Sequence, residues 1–291
     1  MNNDLIRIAS IDIGRCNFAQ YVEDFSSSEI TKLEKQYKNL PKSLQRRVRG
    51  KMNPQIESLL EQTAVCGKRV QMGVYDFTSV TEISSDNENE DCKEDAESGL
   101  TNQIRLNLLD HLHKYTYLWD SCDIFVIEQQ YFNTPGFVNK GKGTKRCAGS
   151  FANVNAIKMA EAVFMWLLDR YRTRIVTYFG SQYKTQIYGA PWQLDKPARK
   201  KWSVEKSYEL HSLRNDADMI NIYNLSEAVK RKRIKDDTRV NKFKSEYPCT
   251  TEDAKELADR IIREKQKLDD CYGDAFLQAQ AFKFRTMVAC F

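Results

Sequence analysis

The sequence predicts an α/β fold in which a mixed five-stranded sheet carries helices on both faces. Three observations carry that prediction. Two short apolar runs, residues 5–13 (LIRIASIDI) and 123–128 (DIFVIE), have the length and branched composition of buried strands. Three strand-like segments precede the first strong helical pattern, after which strand and helix patterns alternate. The chain closes with helical spacing over residues 251–282, with room for one break.

Each element can be justified in order. Residues 5–13 end at Gly14, and residues 17–25 read as a strand that bends back as a hairpin. Residues 26–68 are polar and helical in pattern, broken by prolines, with a basic cluster at Lys42, Arg46, Arg47, Arg49 and Lys51. Residues 70–77 (VQMGVYDF) read as the third strand. Helical spacing resumes with Ile104, Leu108 and Leu112 and leads into the strand at 123–128. The stretch 133–146 holds Pro135 together with Lys140, Lys142, Lys145 and Arg146, and reads as a basic loop. An apolar helix over 154–171 and a fifth strand over 174–179 (RIVTYF) follow, and from residue 196 the chain is basic and helical. The expected organisation is one domain over 1–291, with a basic helical insertion at about 26–68 and an acidic disordered loop at about 80–100.

Charge is unevenly distributed. The net charge is +5, yet residues 82–97 carry −7, which leaves +12 on the rest. Such an excess suits a polyanionic partner, because Lys and Arg that neutralise phosphates release condensed counterions. The eight cysteines are scattered without a C-x-x-C pair, which fits reduced thiols in a cytosolic-type compartment better than zinc or a secreted disulfide framework. No signal peptide is apparent. The most apolar stretch, 160–168, is about half the ~20 residues of a membrane span, so no membrane association is expected.

The chemistry gathers around carboxylates. Asp12 and Glu128 each end an apolar strand, and the rim of an open α/β sheet is where such folds place their sites. Asp270 and Asp274 lie four residues apart on the last helix, hence about 40° apart around its axis. They flank a core stripe of Leu268, Tyr272, Ala275, Ala279 and Phe282. Taken singly, each acid has an ordinary reading as a cap, a rim charge or part of a solvated face. Clustered carboxylates repel unless a cation neutralises them, and oxygen-only ligands suit Mg²⁺, with Mn²⁺ as a substitute.

IASIDIGRCNFA, FVIEQQYF and KLDDCYGDAFLQA together resemble the three acidic motifs of RuvC-type Holliday junction resolvases, in the right order. The likeness is to the poxviral, large-DNA-virus and fungal mitochondrial branch of this RNase H-like superfamily. It implies a magnesium-dependent homodimer that resolves four-way DNA junctions by paired symmetric nicks, with viral DNA replication sites as the location if the viral likeness holds. It also implies that Asp12, Glu128, Asp270 and Asp274 bind metal. Cys271 stands where the family commonly has an aspartate, so Asp269 remains an alternative to Asp270.

By the same resemblance Tyr131, with Phe132 beside it, would stack on bases at the junction centre. Lys184 in SQYKTQIYG would lie near the scissile phosphate, and Lys201, with Lys200 as its neighbour, would be a second such lysine. Lys140, Lys142 and Lys145 are candidate phosphate contacts. Three alternatives stay open: a nuclease for other branched DNA or hybrids, an actin-like ATP-binding kinase or ATPase, and a non-catalytic junction binder. The ATPase is disfavoured by only 12 glycines and no Gly-Gly pair.

Overall fold

In the computed structural model, residues 4–45, 52–78, 99–130, 154–191, 194–231, 237–264 and 269–290 are described. Among them, five strands form one sheet in the order β3-β2-β1-β4-β5. β1 (Leu5–Asp12), β2 (Phe18–Ser26) and β3 (Gly67–Tyr75) make an antiparallel meander. β4 (Ile124–Gln129) pairs parallel to β1, and β5 (Ile175–Gly180) pairs parallel to β4. This is the mixed sheet that the alternation of patterns predicts, and it is consistent with the RNase H-like fold that the motif likeness implies. β3 starts earlier than the sequence suggests, at Gly67 rather than residue 70, because a register shift at Val22/Glu23 lets it follow β2 further.

Helices cover both faces. On one lie α1 (Ser27–Lys38), the single turn α2 (Lys42–Gln45) and α3 (Pro54–Val65), which resolve the proline-broken pattern of residues 26–68. Ser26 caps α1, and Asn53 caps α3 ahead of Pro54, the residue types that satisfy free N–H groups at helix starts. On the opposite face lie α4 (Asn102–Lys114), α5 (Thr116–Trp119) and α6 (Val154–Arg170). After β5 come α7 (Ser181–Ile187), α8 (Lys196–Leu213), α9 (Ala217–Arg231) and α10 (Asp237–Glu246). The C-terminal pattern resolves into two helices, α11 (Glu252–Glu264) and α12 (Asp269–Phe282), and a π-helical turn, Lys283–Val288, completes the run.

The period-2 alternation of the strands sorts their side chains between two cores. Ile8, Tyr21, Ile124 and Val126 pack with α12, whereas Ala9, Ile11, Val22, Phe125 and Ile127 pack under α4–α6. α12 is more than amphipathic. Tyr272, Ala275, Phe276, Leu277 and Ala279 are all fully buried, so Asp274 stands at the border of a core rather than on a solvated face.

Two buried ionic knots hold this layer. Glu23, fully buried on β2, accepts from Tyr21, Arg214 Nη2 (2.8 Å) and Gln280 Nε2 (3.0 Å), and lies 2.5 Å from Lys283 Nζ. Burial pushes the Glu23 carboxyl up, but Arg214 and Lys283 outweigh that and hold it at about 2. On the edge strand, Arg69 binds Asp216, Asp218 and Asp253, and Asp253 also accepts from the Met72 N–H (2.9 Å), so α11 caps part of the free edge of β3. The described cysteines are all free thiols, and no described helix is long and apolar enough to cross a membrane.

Glu23→Gln strands two buried cations and should cost about 3–5 kcal/mol in denaturant unfolding at neutral pH. Because the folded-state carboxyl is depressed, its stabilisation is complete above its ordinary value of 4.5 and is lost as pH falls from there toward 2. The variant should therefore show a shallower acid-induced loss of stability over that window. An equally stable variant would show that the network contributes nothing.

Candidate active site

The site follows from strand register. Ile11 pairs with Ile127 across the parallel β1–β4 ladder, so Asp12 and Glu128, each one residue further on, stand side by side at the C-terminal rim. Asp12 shares its face with Ile8, and Glu128 shares its face with Ile124 and Val126, so both carboxylates are aimed at the layer that contains α12. α12 passes over that rim and contributes Asp274. α7, entered directly from β5, contributes Lys184.

The four side chains converge. Lys184 Nζ lies 2.9 Å from Glu128 Oε1, 2.9 Å from Asp274 Oδ2 and 3.7 Å from Asp12 Oδ1. Lys184 and Glu128 are 6% and 7% exposed, and Gln130 donates to the second Glu128 oxygen. Three carboxylates thus face one ammonium. Burial, with Glu128 adding to it, pushes the Asp12 carboxyl well above the usual range despite Lys184, whereas Glu128 is lowered because Lys184 and hydrogen bonds outweigh its burial. Burial disfavours the charge on Lys184, but Asp12, Asp274 and Glu128 together raise it well above its ordinary value. The arrangement has a surplus of negative charge that Lys184 alone does not cancel.

Among the described residues no three His, Cys, Asp or Glu side chains form a ready metal cage. The Lys184 ammonium, itself a cation, instead bridges the acids. The donor set fits a hard divalent ion: it is all carboxylate oxygen, it comes from three separate elements, and it already gathers around a positive charge.

Of the residues singled out in the sequence, Asp12, Glu128, Asp274 and Lys184 are brought together. The Asp269 and Asp270 backbones begin α12, but their side chains lie outside the described residues. So do Tyr131, Phe132, Lys140, Lys142, Lys145 and Arg146. Lys200 and Lys201 are exposed on the first turns of α8, and Lys201 sits 3.6 Å from Glu205 rather than among the acids. α8 approaches the site further along, where Ser207 Oγ donates to the Gly273 carbonyl (3.2 Å), one residue before Asp274. A Cβ on Gly273 would come within 3.1 Å of that hydroxyl, so glycine permits the close approach.

Sequence reasoning missed Gln278, which is fully buried and donates to the carbonyls of Ile11 (3.2 Å) and Val126 (3.1 Å). The signal was there: Gln278 and Gln280 interrupt an otherwise apolar run, AFLQAQA.

No family model and no solved structure matches the chain. Uncharacterized protein 97L of Invertebrate iridescent virus 3 is 26% identical over 102 residues, which is 35% of this chain and 40% of that protein.

Asp12→Asn should stabilise the protein by on the order of 1 kcal/mol at neutral pH, since it removes a buried charge that the fold disfavours. Because the folded-state carboxyl is raised, its destabilising effect grows as pH rises above the ordinary value of 3.8, so the gain should vanish below that pH. Lys184→Met should cost about 3–5 kcal/mol at neutral pH, with recovery as the carboxylates are protonated. Guanidinium unfolding at pH 3.5 and pH 7 checks both, and no pH dependence in either difference would refute the electrostatic account.

Proposed function

We propose that this chain is a divalent-cation-dependent endonuclease that resolves four-way DNA junctions by paired nicks. The observation that carries the reading is the meeting of Asp12, Glu128 and Asp274 on one buried ammonium at the C-terminal rim of an RNase H-like sheet. The likeness of the three sequence motifs to RuvC-type resolvases supports the substrate class, and the charge of +12 outside the acidic segment supports a polyanionic partner.

Asp12, Glu128 and Asp274 would hold Mg²⁺ or Mn²⁺, with Asp270 or Asp269 as the further ligand that the motif implies. The ion, when bound, lowers the pKa of water and offsets charge on the phosphate. The residues of the chain do the rest. The three carboxylates fix the position of the ion relative to the sheet. Lys184, already among them, is placed to donate a hydrogen bond to a phosphate oxygen or to the departing 3′ oxygen once a cation relieves it of the carboxylates. Water adds to phosphorus, the bond to the 3′ oxygen breaks, and a proton ends on that oxygen, leaving a 5′-phosphate and a 3′-hydroxyl.

Two-fold junction cutting calls for two copies of the site. α6 offers a surface for pairing: Ala156, Met159, Ala160, Val163 and Leu167 face the core, while Val154, Met165 and Leu168 remain 39–53% exposed. A homodimer through this face is part of the proposal.

Purified protein with Mg²⁺ on a synthetic four-way junction should give symmetric nicks, while Asp12→Asn and Asp274→Asn should bind the junction without cutting it. Equal cutting of plain duplex would remove the junction specificity, and junction binding without cleavage by the parent would leave only a binding protein. Stabilisation by ATP in place of DNA would instead favour an ATP-binding enzyme.

A further inference from the structure

α12 must be held against β1 and β4 closely enough that Asp274 stays within reach of Asp12 and Glu128. Apolar packing supplies part of that hold: Tyr272, Ala275, Phe276, Leu277 and Ala279 are fully buried, and Phe276 meets the Tyr21 ring of β2 edge-on. Gln278 lies four residues beyond Asp274, hence about 40° around the helix and one turn along it. Its amide donates both hydrogens to main-chain carbonyls: that of Ile11, immediately before Asp12, and that of Val126, two residues before Glu128. Two acceptors facing one terminal group fix the orientation of the amide, because only the nitrogen has hydrogens to give. Its oxygen is buried and has no hydrogen-bond partner among the described residues, so this contact carries a desolvation cost that an apolar side chain would avoid.

We infer that Gln278 is a positioning residue for the carboxylate site: its side-chain amide pins α12 to both acid-bearing strands and thereby sets where Asp274 stands relative to Asp12 and Glu128. The inference rests on the cation-binding reading above and deepens it. Gln278 touches neither cation nor DNA; it acts through the strands. Gln280, two residues on, is the internal comparison. It is equally buried on the same helix, but it donates to Glu23 in the ionic knot and not to the site strands.

The test is Mn²⁺ binding to the whole protein by calorimetry, with the unfolding midpoint measured alongside, for the parent, Gln278→Met, Gln278→Asn, Gln280→Met and Asp12→Asn. Met conserves volume without donors, and Asn is one methylene short, so it reaches at most one of the two carbonyls. Gln278→Met should weaken Mn²⁺ binding by roughly 10–100-fold, the range typical for residues that orient ligands, with Gln278→Asn in between. Gln280→Met should lower the unfolding midpoint at least as much and leave Mn²⁺ affinity within about twofold of the parent. On junction DNA, the Gln278 variants should need correspondingly more Mn²⁺ for half-maximal cutting, with KM for DNA unchanged. Parental Mn²⁺ affinity in both Gln278 variants, while Asp12→Asn loses binding, would overturn the positioning role and spare the site. Equal weakening by Gln280→Met would also overturn it, by showing that general loosening of α12 suffices. A parent that binds no Mn²⁺ would overturn the function and this inference with it.

Discussion

The constraint on which the structure turns is electrostatic: three carboxylates and one ammonium share a buried corner at the rim of the sheet. Like charges at that distance in a poorly solvated setting are tolerated only with a counter-charge among them. Lys184 supplies one, and the residual imbalance falls on Asp12, the acid that the site drives toward its protonated form. A fold seeking only stability would replace such a cluster with apolar side chains at little or no loss. Under the proposed function the cluster is a receptor for further positive charge.

The surroundings divide this burden. The Glu23 knot resembles the site in chemistry, with a buried carboxylate among cations, but there the charges balance in favour of the carboxylate, which is held ionised down to about pH 2. The contrast is informative. One buried acid has a surplus of cations and reads as a structural anchor; the other three have a deficit and read as a site. α12 links the two, with Asp274 at one end and Gln280 bonded to Glu23 at the other, and the π-helical turn beyond it brings Lys283 into the knot. The anchor and the carboxylate site thus share one helix while resting on different strands, the anchor on β2 and the site on β1 and β4.

The exposed apolar side chains of α6 show the same separation of roles on the opposite face. The inward residues complete a core under β4, and Val154, Met165 and Leu168 stay 39–53% exposed among the described residues. Lys158, Glu161 and Asp169 are interspersed with them on the same exposed side of the helix.

The primary structure by itself determined the strands, because runs of branched residues broken by glycine have few other solutions. It also determined the candidates Asp12 and Glu128, because a carboxylate that closes an apolar run falls at a sheet rim. Lys184 was legible only through its likeness to a known motif, since one lysine in a short amphipathic helix has no distinguishing periodicity. Asp274 was likewise a candidate through the motif likeness, whereas the tertiary structure alone decided that the Lys184 ammonium sits between Glu128 and Asp274 and that Gln278 reaches two main-chain carbonyls. These are relations between elements 56 to 267 residues apart, fixed by the register of β1 on β4, by the entry of α7 from β5 and by where α12 crosses the strands, and no local pattern encodes them.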